Sequence, residues 1–127
     1  MTIKKIMIKA FHHIAIILSS EEHLKFYERL GFKESFRKRR EYDTIVLLDG
    51  YGLQLEVFID SRHPERETGL QEPTGVRHFA LKVDGIEKTI AELGLVKSDV
   101  GPVMQDWVGE RFCFIKDPNG IVIELHE

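Results

Sequence analysis

Two histidines and two glutamates interrupt otherwise apolar, strand-like runs, and they do so twice in the same order. His13 heads Ile14-Ala15-Ile16 and is followed 43 residues on by Leu55-Glu56-Val57. His78 heads Phe79-Ala80-Leu81 and is followed 46 residues on by Ile123-Glu124-Leu125. A charge inside such a run is costly unless it is paired or holds an ion. Brought together by a two-fold repeat, His13, Glu56, His78 and Glu124 would offer two imidazole nitrogens and two carboxylate oxygens to one divalent metal. Zinc or nickel heads the candidates for such a set, with cobalt and manganese behind them.

The elements that must position these side chains also come in two copies. Phe11 to Leu18 reads as a buried strand. Ser19 or Ser20 before Glu22 predicts a helix start, Leu24, Phe26, Tyr27 and Leu30 recur at helical spacing, and Gly31 ends the element. Phe32 to Arg39, Thr44 to Leu48 and Leu53 to Ile59 read as strands, the last two joined by the hairpin signal Asp49-Gly50-Tyr51-Gly52. Ser61 to Gly75 carries charge, proline and glycine with few apolar residues and reads as a linker. Then the pattern restarts: a strand over 76–83, a helix over 86–93, a strand over 95–100, and a hairpin of 111–116 with 121–126 across Asp117-Pro118-Asn119-Gly120. The expected fold class is α+β, two tandem βαβββ modules forming a curved mixed sheet cup. The whole chain, 1–127, is read as one domain, with module one at about 8–60, the linker at 61–75 and module two at about 76–127.

The repeat also sets the frame. Aligning the two histidine runs puts His12 against Arg77, so His13 is the equivalent of His78. Successive strand side chains face opposite sides, so His13, Ala15 and Ile17 share a face, as do Gln54, Glu56 and Phe58, and Val122, Glu124 and His126. Those faces would line the cup while the aliphatic sets pack on the helices. His12, His23, His63 and His126 read as structural or solvent-exposed residues, His126 sharing the face of Glu124. Phe26 and Tyr27 read as core.

Composition narrows the function classes. The 127 residues are 43% hydrophobic and 31% charged, as in an ordinary soluble globular protein. A net charge of -3 gives no reason to expect nucleic acid, and Arg37-Lys38-Arg39-Arg40 reads as a solvated strand edge rather than a phosphate patch. One cysteine, Cys113, leaves no internal disulfide, and its apolar setting predicts a buried thiol. No stretch approaches the roughly 20 apolar residues that span a bilayer, and lysines at 4, 5 and 9 break up any signal-peptide core, so no membrane partner is expected and the location reads as cytoplasmic. A homodimer is favoured, because an isolated pair of modules leaves strand edges exposed. Whether the four ligands would then close within one chain or across two stays open, since a linker of this length reaches either geometry.

Several segments carry a family resemblance: His12-His13-Ile14-Ala15-Ile16, Phe26-Tyr27 before Leu30-Gly31-Phe32, Gly75-Val76-Arg77-His78-Phe79-Ala80, and Phe114 to Leu125 with its Asp-Pro-Asn-Gly turn. From about Phe11 to Glu127 the chain resembles the vicinal oxygen chelate superfamily of glyoxalase I, extradiol dioxygenases, fosfomycin-resistance and bleomycin-resistance proteins, and within it small bacterial glyoxalase-like proteins. The resemblance implies paired βαβββ modules. The set His13, Glu56, His78 and Glu124 is similar to the ligand set of bacterial glyoxalase I, where the metal carries water in its remaining positions.

The implied activity is that of a lactoylglutathione-lyase-like metalloenzyme on a small molecule with vicinal oxygens. Proton transfer would run through a metal-stabilised enediolate, with Glu124 or Glu56 as the base. A metal-dependent epimerase, a thiol transferase and a non-catalytic, resistance-type binding protein are the alternatives. One departure bears on the substrate. Glyoxalase I carries an arginine four residues after its first ligand and an asparagine four after its second, both contacting glutathione. Here those positions are Ile17 and Asp60, which argues against an unmodified glutathione-carboxylate site.

Overall fold

The computed structural model describes residues 7–66 and 74–127. The middle of the expected linker and the first six residues lie outside the described residues. The first module runs β1 (Ile14–Leu18), α1 (Leu24–Leu30), β2 (Lys33–Arg39), β3 (Thr44–Gly50) and β4 (Leu53–Ile59). The second runs β5 (Phe79–Lys82), α2 (Ile86–Leu93), β6 (Met104–Gln105), β7 (Arg111–Lys116) and β8 (Val122–His126). Each module makes one four-stranded sheet, ordered β1-β4-β3-β2 and β5-β8-β7-β6. In each, the first strand runs parallel to the last and the remaining pairs are antiparallel. The α+β class and the tandem βαβββ repeat are those the sequence predicts.

Strand alternation decides which face is core. Ile16 and Leu18 of β1, Leu55 and Val57 of β4, and Ile123 and Leu125 of β8 are buried in one apolar cluster with Leu24, Tyr27 and Leu30 of α1 and Ile86 and Leu93 of α2. Their strand neighbours point the other way, and Ala15, Ile17 and Ala80 are exposed there. A helix covers one face of each sheet, and the opposite, open face is where the candidate ligands stand.

Local chemistry sets the element ends. Ser20 Oγ accepts from the Glu22 backbone N–H at 3.2 Å and caps a short 3-10 turn that leads into α1. Gly31 ends α1 in the left-handed region, φ 106°, and there the Tyr51 hydroxyl donates to the Leu30 carbonyl. A side chain at Gly31 would meet both strained backbone and the Tyr51 ring.

One expected element is corrected. Residues 95–100 do not form a strand: Lys97–Asp99 winds into a 3-10 turn, with Asp99 N–H on the Val96 carbonyl. The second strand of the second module is the two-residue β6, and Val100 contributes only an isolated bridge to Ile115. The polar triplet Lys97-Ser98-Asp99 closes a local turn more readily than it extends a ladder. The first strands are also shorter than predicted, so His13 and His78 each sit one residue before β1 and β5.

The modules are tied together through the Asp117–Gly120 turn. The Tyr27 hydroxyl, fully buried, donates to Asp117 Oδ2 at 2.7 Å. Asn119 Nδ2 donates to Ser19 Oγ at 2.7 Å, its Oδ1 accepts from the Ser19 N–H at 3.1 Å, and His23 Nδ1 lies 2.7 Å from that same oxygen. Burial pushes the Asp117 carboxyl above its ordinary range against the pull of the Tyr27 hydroxyl and of the Ile121 and Asn119 backbone N–H groups that it accepts from. Burial, with Asp117 beside it, holds the Tyr27 hydroxyl far above its own. Cys113 is buried, as the sequence predicts. Among the described residues no helix is long and apolar enough to cross a membrane.

Candidate functional site

The two halves of the expected ligand set occupy equivalent positions. Ala15 pairs with Glu56 across β1 and β4, and Ala80 pairs with Glu124 across β5 and β8. In each module the histidine stands two residues before that alanine, on the same open face. The result is one histidine–carboxylate pair per sheet. His13 Nε2 lies 3.5 Å from Glu56 Oε1, and His78 Nε2 lies 3.1 Å from Glu124 Oε1. All four side chains are partly buried, the second pair more deeply: 22% and 16% exposed, against 34% and 29% for the first.

Both pairs suit a divalent cation. An imidazole nitrogen facing a carboxylate oxygen needs a proton or a cation between them, and Glu56 and Glu124 supply anionic oxygen to a borderline-soft metal. His12 Nδ1 lies 2.8 Å from His13 Nδ1, so one ring donates to the other. When His13 is the donor, its Nε2 is left as the free lone pair toward Glu56, the arrangement a metal-binding imidazole uses. On the second sheet the Phe114 ring meets His78 edge-on at 5.0 Å between centroids and fixes the plane of the imidazole.

Among the described residues, the one group of three or more His, Cys, Asp and Glu whose ligand atoms lie within 4.8 Å of one another is Asp106, Glu110 and His126; no three of His13, Glu56, His78 and Glu124 meet that limit. The groove of about 740 Å³ lined by Arg29, Tyr51, Lys82 and Lys88, among others, contains none of them.

Two rim clusters lie beyond the expected ligands. In the second module His126 Nδ1 lies 2.8 Å from the Glu127 carbonyl, while its Nε2 meets Asp106 Oδ2 at 3.3 Å and Glu110 lies 3.5 Å away. The Glu127 carbonyl and then Asp106 raise the His126 pKa above its ordinary value. In the first module Arg40 makes two bonds of 2.6 Å to Asp43, and Arg62 binds both oxygens of Asp60 at 2.8 and 2.6 Å. Asp60, expected as an unbalanced negative charge, is held well below the usual carboxylate range by Arg62. Its buried carboxylate anchors a guanidinium, with His63 3.3 Å away. The module alignment could have flagged both rims, because it sets His126 where Phe58 stands and the 106–110 loop where the 40–43 turn stands.

Three further residues near the site are placed as follows. Ile17 is 43% exposed on the open face. Trp107, at the tip of the 106–110 loop, is almost fully exposed. Arg111 is spent on Glu87 and Glu127.

Comparison with known proteins follows the same lines. The family model described as the Glyoxalase/Bleomycin resistance protein/Dioxygenase superfamily matches residues 10–125. The protein called Uncharacterized protein YwkD, of Bacillus subtilis (strain 168), is 38% identical over 95% of this chain and 98% of its own length. A crystal structure of the glyoxalase family protein from Enterococcus faecalis superposes with a TM-score of 0.82 at 32% identity, covering 96% of this chain and all of that one. At greater distance, lactoylglutathione lyase from Agrobacterium tumefaciens shares the fold, with a TM-score of 0.64, 18% identity and 95% of each chain covered. The repeated βαβββ modules and the match across nearly the whole sequence make this chain a member of the glyoxalase/bleomycin resistance protein/dioxygenase superfamily.

Proposed function

We propose that the protein is a divalent-metal-dependent lyase or isomerase acting on a small molecule with two adjacent oxygens, its metal held by His13, Glu56, His78 and Glu124. The observation that carries this reading is the repeated register. A histidine–glutamate pair occupies the same rung of each sheet, on the open face, where a purely structural role has nothing to conserve in both copies. A cation bound there would act as a Lewis acid toward a substrate carrying vicinal oxygens and would favour loss of the proton beside its carbonyl. Glu56 and Glu124 are the two carboxylates in reach to take that proton and return it. Glu56 has one partner at 3.5 Å and greater exposure, while Glu124 is held more closely by His78. The two glutamates thus differ in freedom although they match in position.

The reading includes a second copy: His13 and Glu56 of one protomer would meet His78 and Glu124 of its partner. Metal analysis tests the ligand set. Purified protein should carry about one equivalent of metal per chain. Glu56→Gln combined with His78→Ala should abolish it, and unchanged metal content would refute the assignment. Turnover is tested on 2-oxoaldehydes offered with glutathione, bacillithiol or cysteine under several metals. Inactivity across that panel, together with ligand binding that ignores a chelator, would replace the enzyme reading with a metal-independent binding protein.

A further inference from the structure

The open face of the first sheet continues past Glu56 to Phe58, the next residue on that face and about 6.7 Å further along β4. Over the Phe58 ring, 5.8 Å from its centroid, lies the guanidinium of Arg40. The guanidiniums of Arg40 and Arg62 each lie 5.5 Å from the centroid of the Tyr42 ring. The carboxylates that hold them are themselves sheltered, Asp43 and Asp60 being 6% exposed at the side chain.

Both arginines are solvent-exposed, and each is oriented by its own sheltered carboxylate. Each carboxylate occupies Nε and Nη2 of its arginine, and among the described residues Nη1 of neither is given a protein partner. The planes are set by bidentate pairing and by stacking on Tyr42, so the ordering cost of presenting those last donors is already met. Glu56 adds to the field that favours the charged form of Arg40, which places Arg40 within electrostatic range of the proposed metal ligand. The matching rim of the second module carries Asp106 and Glu110 instead. Each guanidinium is balanced by its own carboxylate, so what distinguishes the first-module end is its oriented Nη1 donors, which a substrate oxyanion can take, where the second-module end offers carboxylates.

We propose that Arg40, backed by Arg62 at Tyr42, receives a carboxylate group of the substrate and so sets the enzyme's preference for acidic over neutral compounds. This rests on the metal-site reading above and adds the substrate's charge to it. Arg40 is a positioning residue here: it orients the substrate and takes no part in proton transfer.

Nickel-loaded protein titrated with two matched probes tests this. Glutaric monohydroxamic acid offers two adjacent oxygens to the metal and a carboxylate at its far end; the matched carboxamide differs only in charge. The wild type should bind the acid about tenfold more tightly than the amide. In Arg40→Gln that preference should fall to about one, through the acid's Kd alone, with metal content unchanged; Arg62→Gln should lose about threefold. If Arg40→Gln folds poorly because Asp43 has lost its partner, the double variant R40Q/D43N removes both charges and should show the same loss. No preference in the wild type, or a preference that survives in the variants, overturns the proposal. If neither probe binds the nickel-loaded protein, that metal is not open to a substrate with two adjacent oxygens, and the proposed function and this inference fall together; amide binding with no acid preference in the wild type overturns this inference alone.

Discussion

The two modules are the same fold used for different ends. Both set a histidine one residue before the first strand and a glutamate in the fourth, with an alanine across the rung. Around that constant pair the walls diverge. Opposite Glu56 on the neighbouring strand stands Leu47; opposite Glu124 stands Phe114. Next along the face, Ile45 pairs with Phe58 while Phe112 pairs with His126. The strand beside Glu56 offers Leu47 and Ile45 and its rim carries arginine–carboxylate pairs; the strand beside Glu124 offers Phe114 and Phe112 and its rim carries Asp106 and Glu110 around His126. Duplicated scaffolds tolerate such divergence where side chains face solvent or ligand. The buried face of each sheet, which must pack on a helix, keeps aliphatic residues in both copies.

The largest effect should come from breaking the shared element. His13→Ala and His78→Ala should each lower metal affinity by about 100-fold or more, since each removes a nitrogen ligand and leaves a carboxylate facing none. Competition with a chelating dye measures both. Equal losses would show that the two halves serve one ion. A loss for one histidine and none for the other would mean that the repeat is structural in one module.

A second test concerns the tie between modules. Tyr27→Phe leaves Asp117 Oδ2 buried without its hydroxyl donor and should cost about 1–3 kcal/mol of stability. The corresponding turn of the first module should matter less. Tyr51 is 69% exposed, and Tyr51→Phe should cost about 1 kcal/mol or less, because water can reach the carbonyl it leaves. Chemical denaturation of both variants orders them, and a larger loss at Tyr51 would invert this account of what holds the modules together.

The smallest effect expected is a pH dependence confined to the second rim. The folded pKa of His126 is raised by the Glu127 carbonyl and by Asp106, so its charge is favoured in the folded state. Its contribution is fully present below the ordinary histidine value of about 6.5 and is lost as pH rises through the higher folded value. NMR titration should give His126 a midpoint above that ordinary value in metal-free protein, and Asp106→Asn should lower it. A midpoint unmoved by Asp106→Asn would remove that carboxylate from the explanation.

How much of this could be read from the chain varies by region for physical reasons. The His–Glu pairs were legible because a polar residue in an apolar strand needs a reason to be there, and the repeat supplied the register. The C-terminal end of α1 is legible from Gly31, whose role is local, whereas Ser20 marks the 3-10 turn that precedes the helix rather than the start of α1 itself. The segment 95–100 misled because Val96 and Val100 resemble a strand pattern, while the intervening Lys97-Ser98-Asp99 turn is decided by short-range hydrogen bonds. The rim clusters were the least legible. His126 meets Asp106 twenty residues away, and Arg40 and Arg62 meet at Tyr42 from two different loops. No periodicity marks such encounters. Asp60 shows the consequence: alone in the sequence it looked like a stray negative charge, and in the fold it is the anchor of an arginine.

The central claim is that the two half-sites complete one metal centre between two copies of the chain. Co-expressing a His13→Ala chain and a Glu124→Ala chain under different tags, and purifying the doubly tagged heterodimer, tests it directly. Both lesions then fall in one of the two composite sites, and the other is intact. The account predicts about one metal ion per heterodimer, against about two for the wild-type dimer and none for either mutant homodimer. A heterodimer that holds no more metal than its parent homodimers would contradict it.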